Sequence, residues 1–308
     1  MGSLQKTVFL FAGQGCHFPR MCAELFAESP PFRETLFEAD RILGRVSGHS
    51  LIEHLFGHDD SWVMDILVSH PAIFSVQWAL FEALVAKGFQ PDLCVGASLG
   101  EYVAVSASQS VSFPEMLRLV QTQATVIHQQ LPVGGMMTVL ASCQLLDDKP
   151  ELFQECTLAA ENFPGHIVIS GSKKALNTCQ KKLEKQAISA FPLSVPYAFH
   201  SPDVLHAKGR FLENIQKVSF ARPKTLLYSC CQNNEVHQPN AEYLWQVIEK
   251  PIGFSMTISN LEAELNMPRY VDCSPSGTLA NFLKYLLGSE AHHRILTLKN
   301  LDVTSNTI

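Results

Sequence analysis

The chain has 308 residues, with 23 Lys and Arg against 29 Asp and Glu, so its formal net charge is −6, and 46% of its positions are hydrophobic. This composition is typical of a globular protein that buries a large core, in one large domain or two smaller ones. The negative balance and the lack of a basic run exclude a nucleic-acid binder that works by neutralising phosphates.

The apolar segments are too short and too polar to predict a membrane span. No run of 18 apolar residues occurs, and the longest uncharged helical segment, residues 66–81, contains four polar side chains: Ser69, His70, Ser75 and Gln77. We therefore expect no contact with a membrane.

The cysteines and the N-terminus favour a reduced, cytoplasmic protein. Nine cysteines are an odd number, and no Cys-x-x-Cys motif occurs, which is atypical of a disulfide scaffold. The first residues lead into an apolar strand without a signal-peptide pattern. We expect a cytoplasmic monomer.

The first third of the chain predicts alternating strands and helices. Residues 7–11 form a continuous apolar run that ends at Gly13 and Gly15, which is typical of a buried strand leading into a turn. Helical spacing of apolar residues predicts the helices, and flanking Pro and Gly mark their ends. The elements follow in chain order: a helix from about residue 20, a helix over 72–87, a strand over 92–95 and a helix over 113–127. This alternation predicts an α/β domain with a parallel sheet.

The pattern changes after Pro132. Strands are predicted over 136–140, 157–160, 167–170 and 190–193, with helices near 150–156 and 172–186. This β-α-β-β-α-β order predicts a ferredoxin-like α+β subdomain, residues 132–196, inserted into a larger domain of residues 1–131 and 197–308. Past Pro196 the alternation resumes, with helices over 203–215, 243–265 and 278–287 and strands over 225–229 and 269–272. The polar tail, residues 303–308, is expected to be mobile.

The motif Gly96-Ala97-Ser98-Leu99-Gly100 carries the clearest chemical signal. It lies between a predicted strand and a predicted helix, and its glycines leave room for the strained turn of a nucleophile elbow. The start of the following helix directs N–H groups at an oxyanion. The alternative interpretation is a glycine-lined turn with an incidental serine.

A serine nucleophile needs a base, and His200 is the strongest candidate among 12 histidines. It lies in a loop between Pro196 and Pro202 where the insert returns to the main domain, and such loops carry functional side chains. Taken alone, the residue would be better interpreted as a solvated histidine. His54 and His58 have the spacing of a metal-binding pair but no third ligand, so no metal site is predicted.

Four motifs together point to a known family. They are Phe11-Ala12-Gly13-Gln14-Gly15, Gly96-Ala97-Ser98-Leu99-Gly100-Glu101-Tyr102, Ala159-Ala160-Glu161-Asn162 followed by Ile169-Ser170-Gly171, and Tyr197-Ala198-Phe199-His200-Ser201. In order and spacing they resemble the malonyl-CoA:acyl carrier protein acyltransferase family, which includes polyketide synthase acyltransferases. The resemblance extends from residue 7 to about residue 285.

The resemblance implies an α/β-hydrolase-like large domain, with the ferredoxin-like subdomain as the second wall of the cleft. It implies that Ser98 attacks an acyl thioester, that His200 takes its proton, and that the backbone N–H groups of Gln14 and Leu99 bind the oxyanion. A backbone carbonyl orients the histidine in this family. Asn162, Phe199 and Gln123 are expected to bind substrate. The acyl group would be carried on the phosphopantetheine arm of CoA or of an acyl carrier protein domain of a polyketide synthase, with no resident cofactor.

One departure from the family pattern concerns the substrate. The arginine that binds the malonyl carboxylate lies 25 residues after the family's serine, where this chain has Gln123. Gln121 and Thr122 are not cationic, and Arg118 lies about 140° away around the helix. Because a desolvated carboxylate without a cation is costly, malonyl is expected to be a poor substrate. Ala97 and His17 also replace the family's usual histidine and glutamine, which changes the surroundings of the dyad only.

The sequence therefore predicts a Ser-His-dependent editing hydrolase of a polyketide pathway. It would remove non-carboxylated acyl groups from acyl carrier protein thioesters. One alternative is a trans-acting acyltransferase that loads a malonyl or simple acyl group from CoA onto a carrier protein. An alternative of another class is a non-catalytic module that docks carrier proteins. If His200 were not the base, His17, beside the Gly13-Gln14-Gly15 turn, would be the next candidate.

Overall fold

Two separate β-sheets organise the fold. A computed structural model describes residues 5–299 and residue 301, so the tail predicted to be mobile, residues 303–308, lies outside the described residues. Ten strands occur in the described part, in chain order β1 Thr7–Phe11, β2 Leu93–Gly96, β3 Gly134–Val139, β4 Cys156–Phe163, β5 His166–Ser172, β6 Ala190–Pro192, β7 Leu226–Ser229, β8 Asn234–Glu235, β9 Arg269–Asp272 and β10 Ile295–Leu296. The same residues form twelve α-helices, α1 Ala23–Glu28, α2 Pro30–Leu43, α3 Leu51–Phe56, α4 Ile66–Ala86, α5 Gly100–Ala107, α6 Phe113–Gln130, α7 Gln144–Asp148, α8 Lys173–Glu184, α9 Leu205–Ile215, α10 Ala241–Glu249, α11 Phe254–Leu265 and α12 Thr278–Leu287.

The larger sheet has the strand order β10-β9-β1-β2-β7-β8, and all its pairings are parallel except that of β7 with β8. Strand β1 lies between β9 and β2, and its last four residues are fully buried. A continuous apolar strand suits this position because helices cover both faces of a parallel sheet. Phe11 pairs with Gly96, so the turns that follow β1 and β2 lie side by side. Both predicted site motifs therefore meet at one edge of the sheet.

The smaller sheet is antiparallel, with the order β4-β5-β3-β6. Helix α8 packs on it over a separate apolar core that includes Met137, Ile167, Ile169 and Leu183. The β-α-β-β-α-β succession and this strand order confirm the predicted ferredoxin-like arrangement. The exact subdomain limits, 132 and 196, stay a prediction.

The helix predicted near residues 150–156 is wrong. Residues Pro150–Leu152 form one 3₁₀ turn, and Cys156 already begins β4. The helix of this connection is α7, which ends at Asp148 because the residue before a proline disfavours the helical conformation.

The single helix predicted over residues 243–265 is also wrong. Two helices, α10 and α11, are separated by the segment 250–253. Pro251 forces Lys250 into an extended conformation, with φ −80° and ψ 151°, and so ends α10. The segment also pairs with the smaller sheet, since Ile252 donates to the Ala159 carbonyl at 2.8 Å and its own carbonyl accepts from Glu161 N–H at 3.0 Å. This break connects the two halves of the molecule.

Helix α4 is the central helix of the larger core. It begins at Ile66, ahead of the predicted start at residue 72, because the Asp65 side chain caps it by accepting from Leu67 N–H at 2.9 Å. The helix has 21 residues, and an 18-residue stretch of it has a mean hydropathy of 1.2, so it is long and apolar enough to cross a membrane by length and composition. Its most apolar stretch is 83% buried inside the protein, which is how the core helix of a folded domain passes the same test.

Candidate active site

Ser98 lies on a sharp turn between β2 and α5. Its φ is 53°, in the left-handed region that costs a non-glycine residue about 1–3 kcal/mol. The turn can form because its flanking glycines leave room. A Cβ on Gly100 would collide with the Phe11 carbonyl, and one on Gly96 would collide with the Glu101 backbone. The geometry is that of a nucleophile elbow.

His200 faces Ser98 across the cleft. Its Nε2 lies 2.9 Å from Ser98 Oγ, and its Nδ1 lies 2.8 Å from the Lys250 carbonyl oxygen. A carbonyl can only accept, so Nδ1 carries the proton and Nε2 is left to accept the proton of the serine hydroxyl. The Lys250 carbonyl is available because Pro251 ends α10 at that residue.

The backbone around His200 is also held in place. The residue has a φ of 57°, and its N–H donates to the Ile248 carbonyl at 3.0 Å. Burial lowers the pKa of His200 to about 4, while the hydrogen bond to Lys250 opposes this shift. The imidazole is therefore neutral near pH 7, as a general base must be.

Gln14 lies in the loop after β1, directly beside the elbow. A Cβ on Gly13 would come within 2.8 Å of Ser98 Cβ, and the loop can approach this closely only because residue 13 is a glycine. Leu99 immediately precedes α5, so its N–H belongs to the helix start, where no intrahelical acceptor exists. Gln14 and Leu99 thus flank Ser98 from two different loops.

All seven predicted site residues line one cavity of about 290 Å³. They are Ser98, His200, Gln14, Leu99, Gln123, Phe199 and Asn162. The first five and Phe199 come from the larger domain, whereas Asn162 lies on β4 of the smaller sheet. The two sheets therefore form opposite walls of one cleft.

The cavity is electrically neutral near pH 7. Among its described lining residues there is no lysine, arginine, aspartate or glutamate. Burial lowers the pKa of each of its three histidines, His70, His166 and His200. Burial also raises the pKa of Cys16 and of Tyr102, so that both stay protonated. A substrate anion would meet no compensating cation here.

Gln123 points inward from α6, as the helical spacing predicts. Its side chain is 3% exposed, and its Oε1 lies 3.0 Å from Nδ1 of His70. Arg118 on the same helix donates to the Pro114 carbonyl at the surface instead. The group beside Gln123 is thus the buried imidazole of His70 and not a cation.

Sequence reasoning missed His70 and His166 as cavity residues. His70 lies on α4, where the apolar spacing marks a buried face, and a histidine on such a face was the available signal. His166 begins β5, and its Nδ1 lies 3.1 Å from Asn162 Nδ2. No signal in the sequence placed His166 against Asn162 in the cavity.

His17, the second candidate base, does not line the cavity. Its Nε2 lies 3.0 Å from the Val63 carbonyl, and its Nδ1 accepts from Gly15 N–H at 3.4 Å. Both ring nitrogens are therefore used to hold the loop that carries Gln14. Across residues 5–299 and 301, no group of three or more His, Cys, Asp or Glu side chains is arranged to hold a metal ion.

Comparison with known proteins identifies a family. The model of the acyl transferase domain family matches residues 8–298. The chain is 34% identical to the "Polyketide biosynthesis acyltransferase homolog PksD" of Bacillus subtilis (strain 168), over 97% of this chain and 95% of that protein. The MCAT structure from Streptococcus pneumoniae has a TM-score of 0.81 and 25% identity, covering 95% of each chain. A malonyl-transacylase in complex with a type II polyketide synthase acyl carrier protein, PlMCAT:AntF, has a TM-score of 0.85 at 20% identity, covering 98% of this chain and all of that one.

Proposed function

The chain belongs to the acyl transferase domain family, and from that premise we propose that it hydrolyses non-carboxylated acyl groups from the phosphopantetheine thioester of an acyl carrier protein. The observation that carries this proposal is a Ser-His pair in hydrogen-bond contact in a cavity whose described lining residues include no lysine or arginine. A simple acyl chain can enter such a cavity without leaving a charge unpaired. A malonyl carboxylate would have to give up its hydration without an ion pair in return.

The first half of the reaction would form an acyl-serine. His200 Nε2 takes the proton of Ser98 as Oγ attacks the thioester carbonyl. The backbone N–H groups of Gln14 and Leu99 donate to the resulting oxyanion, and each such donor is typically worth about 2.7–4 kcal/mol in the transition state. Collapse of the intermediate breaks the C–S bond, and the protonated His200 gives its proton to the departing thiol.

The second half would release the acid. His200, neutral again, takes a proton from a water molecule that attacks the acyl-serine carbonyl. The C–O bond to Ser98 then breaks, and His200 returns the proton to Oγ. A thiol in place of water would give transfer to a second carrier, so the same dyad serves both outcomes.

We assign the carrier protein as partner because Ser98 is only partly exposed and lies inside a cleft, where a long, thin substrate arm such as phosphopantetheine can reach it. The dyad needs no resident cofactor for this chemistry. Nine cysteines without a disulfide among the described residues suit the reducing cytoplasm, where we place the enzyme. The contact between Ser98 and His200 argues against a non-catalytic docking module.

The test uses the full chain with acetyl-, butyryl- and malonyl-loaded carrier protein, together with a second, empty carrier of different mass. Intact-protein mass spectrometry follows loss of the acyl group from the first carrier and its appearance on the second. We expect acetyl and butyryl to be released as free acids and malonyl to stay in place. Ser98→Ala is the control, since it removes the nucleophile without adding volume at the elbow.

Two outcomes would contradict the proposal. Acyl groups that reappear on the second carrier would establish the trans-acting acyltransferase instead. Preferential loss of malonyl would show that the cavity binds a carboxylate despite its neutral lining.

A further inference from the structure

His70 lines the cavity and contacts two residues of the site. Its Nδ1 lies 3.0 Å from Gln123 Oε1, and its Nε2 lies 3.2 Å from Gln14 Oε1. The side chain is 3% exposed, and its ring centroid lies 5.7 Å from that of Phe199. One imidazole therefore joins Gln123 to the loop beside Ser98.

The hydrogen-bonding capacity of His70 is fully used by these two contacts. Burial lowers its pKa to about 4, so the ring is neutral and carries one N–H. It can donate to only one of the two amides, and the other amide must donate to the ring. Gln14 fits the second role, because its Nε2 is buried without a partner among the described residues and a half turn of the amide brings it to His70. The resulting chain of bonds runs from Gln14 through His70 to Gln123.

The imidazole also occupies the space beyond the end of Gln123. The glutamine amide is already in contact with the ring, and an arginine at this position would extend farther by the outer atoms of its guanidinium. The group would have to press against the ring or fold away from it, and in either case its planar fork would not be free to pair with a carboxylate.

We propose that His70 is a second specificity-determining residue, which acts as one unit with Gln123 to exclude carboxylated acyl groups and positions the Gln14 loop. The proposal rests on the proposed function for the substrate class. An enzyme with a cation at position 123 should accept malonyl only when the ring of residue 70 is removed and the link to Gln14 is kept.

Two substitutions separate the two contacts of the ring. The amide of His70→Gln reaches the position of Nε2, so it keeps the contact with Gln14 and vacates the space beside residue 123. The amide of His70→Asn ends near the position of Nδ1, so it keeps that space filled and loses Gln14. The pair forms a matched test, because both residues are neutral amides that differ by one methylene.

The experiment compares the ratio of malonyl to acetyl labelling of Ser98 by mass spectrometry after brief exposure to the two CoA esters. We expect Q123R alone and H70N/Q123R to stay within about threefold of the wild-type ratio, and H70Q/Q123R to raise it about tenfold or more, as strongly coupled neighbours do. With acetyl-CoA as the substrate, H70N should lower kcat with little change in KM. H70Q, which keeps the contact with Gln14, should restore kcat toward the wild-type value. H70Q/Q123R nearly conserves the total side-chain volume, and H70Q/Q123K supplies a smaller cation beside the same glutamine.

Recognition can be measured without chemistry. Calorimetric titration of the same proteins carrying Ser98→Ala with malonyl-CoA and acetyl-CoA should give the same order of preference. Equal malonyl gains in Q123R and H70Q/Q123R, by labelling or by titration, would overturn the role of His70. Failure of the wild type to release acetyl from acetyl carrier protein would instead contradict the proposed function, and the titration would still test His70.

Discussion

The protonation state of His200 is set by a hydrogen bond to a distant residue and by burial. The Lys250 carbonyl fixes the proton on Nδ1, and burial keeps the ring neutral, so the nitrogen that faces Ser98 is always the accepting one near pH 7. An aspartate is not needed for this orientation, since a backbone carbonyl accepts the same hydrogen bond.

Replacement of His200 by alanine should lower turnover at least about 100-fold, the usual scale for loss of a positioned general base. Hydrolysis of acetyl carrier protein at pH 7 is the measurement. His206→Ala, an exposed histidine on α9, is the control and should keep wild-type activity. A loss below about tenfold would mean that another group takes the serine proton.

The low pKa of His200 predicts activity well into the acid range. A base must be deprotonated, and with a pKa of about 4 about nine-tenths of His200 is neutral at pH 5, against about 3% for a pKa of 6.5. The profile of kcat/KM from pH 4 to 8 reports this group in the free enzyme. We expect activity to fall only as pH approaches 4. A midpoint near 6.5, with the circular dichroism signal unchanged, would contradict the buried environment described here.

At the scale of elements, the elbow depends on close packing between the start of α5 and the end of β1. Gly100 touches the Phe11 carbonyl so closely that no side chain fits between them. The start of α5 can therefore pack against the end of β1 only because residue 100 has no side chain. This contact helps to fix the position of Ser98.

Two glycine substitutions of opposite effect test this packing. Gly100→Ala should destabilise the protein by about 1–3 kcal/mol or more, because backbone must shift to admit the methyl group. Gly209→Ala should stabilise it by about 0.5–1 kcal/mol, because Gly209 lies in α9 with open space around its Cα. Urea unfolding measures both. A Gly100→Ala protein as stable as the wild type would show that the elbow tolerates looser packing.

At the scale of the whole molecule, the candidate active cleft takes its lining from both sheets. The segment between α10 and α11 pairs with β4 through Ile252 and also presents the Lys250 carbonyl to His200. One short loop thus links the smaller sheet to the orientation of His200.

The buried histidines make the stability of the fold depend on pH. His70 has a pKa of about 4 when folded and 6.5 when unfolded, so between these values the unfolded chain binds more protons and stability falls as pH falls. Glu101 acts in the opposite sense between 4.5 and about 7, because its folded pKa is raised by burial and the folded state binds more protons there. Removing one histidine should leave the Glu101 effect in place.

We therefore expect His70→Asn to lose less stability than the wild type when pH is lowered from 6.5 to 5, by up to about 1.4 kcal/mol per pH unit. Urea unfolding at pH 5, 6 and 7 measures the slope. Parallel slopes in the two proteins would mean that His70 is solvated or already charged when folded.

The sequence by itself determined the fold class, the inserted subdomain and the elbow. These features depend on local patterns, such as the apolar run before Gly13 and the glycines around Ser98, and neighbouring residues in the chain are enough to specify them. The helix predicted over 243–265 contains Pro251, whose effect on Lys250 outweighed the apolar spacing. Over 150–156 only one 3₁₀ turn forms before β4 begins.

Only the tertiary structure decided what surrounds the dyad and Gln123. The contact of His70 with Gln123 spans 53 positions, and that of His200 with Lys250 spans 50, so neither follows from spacing in the chain. The lowered pKa values of His70 and His200 also arise from burial, which exists only in the folded protein. The charge of a cavity depends on how deeply its side chains are buried and on which distant residues they contact. Both are decided by tertiary packing and not by a local sequence pattern.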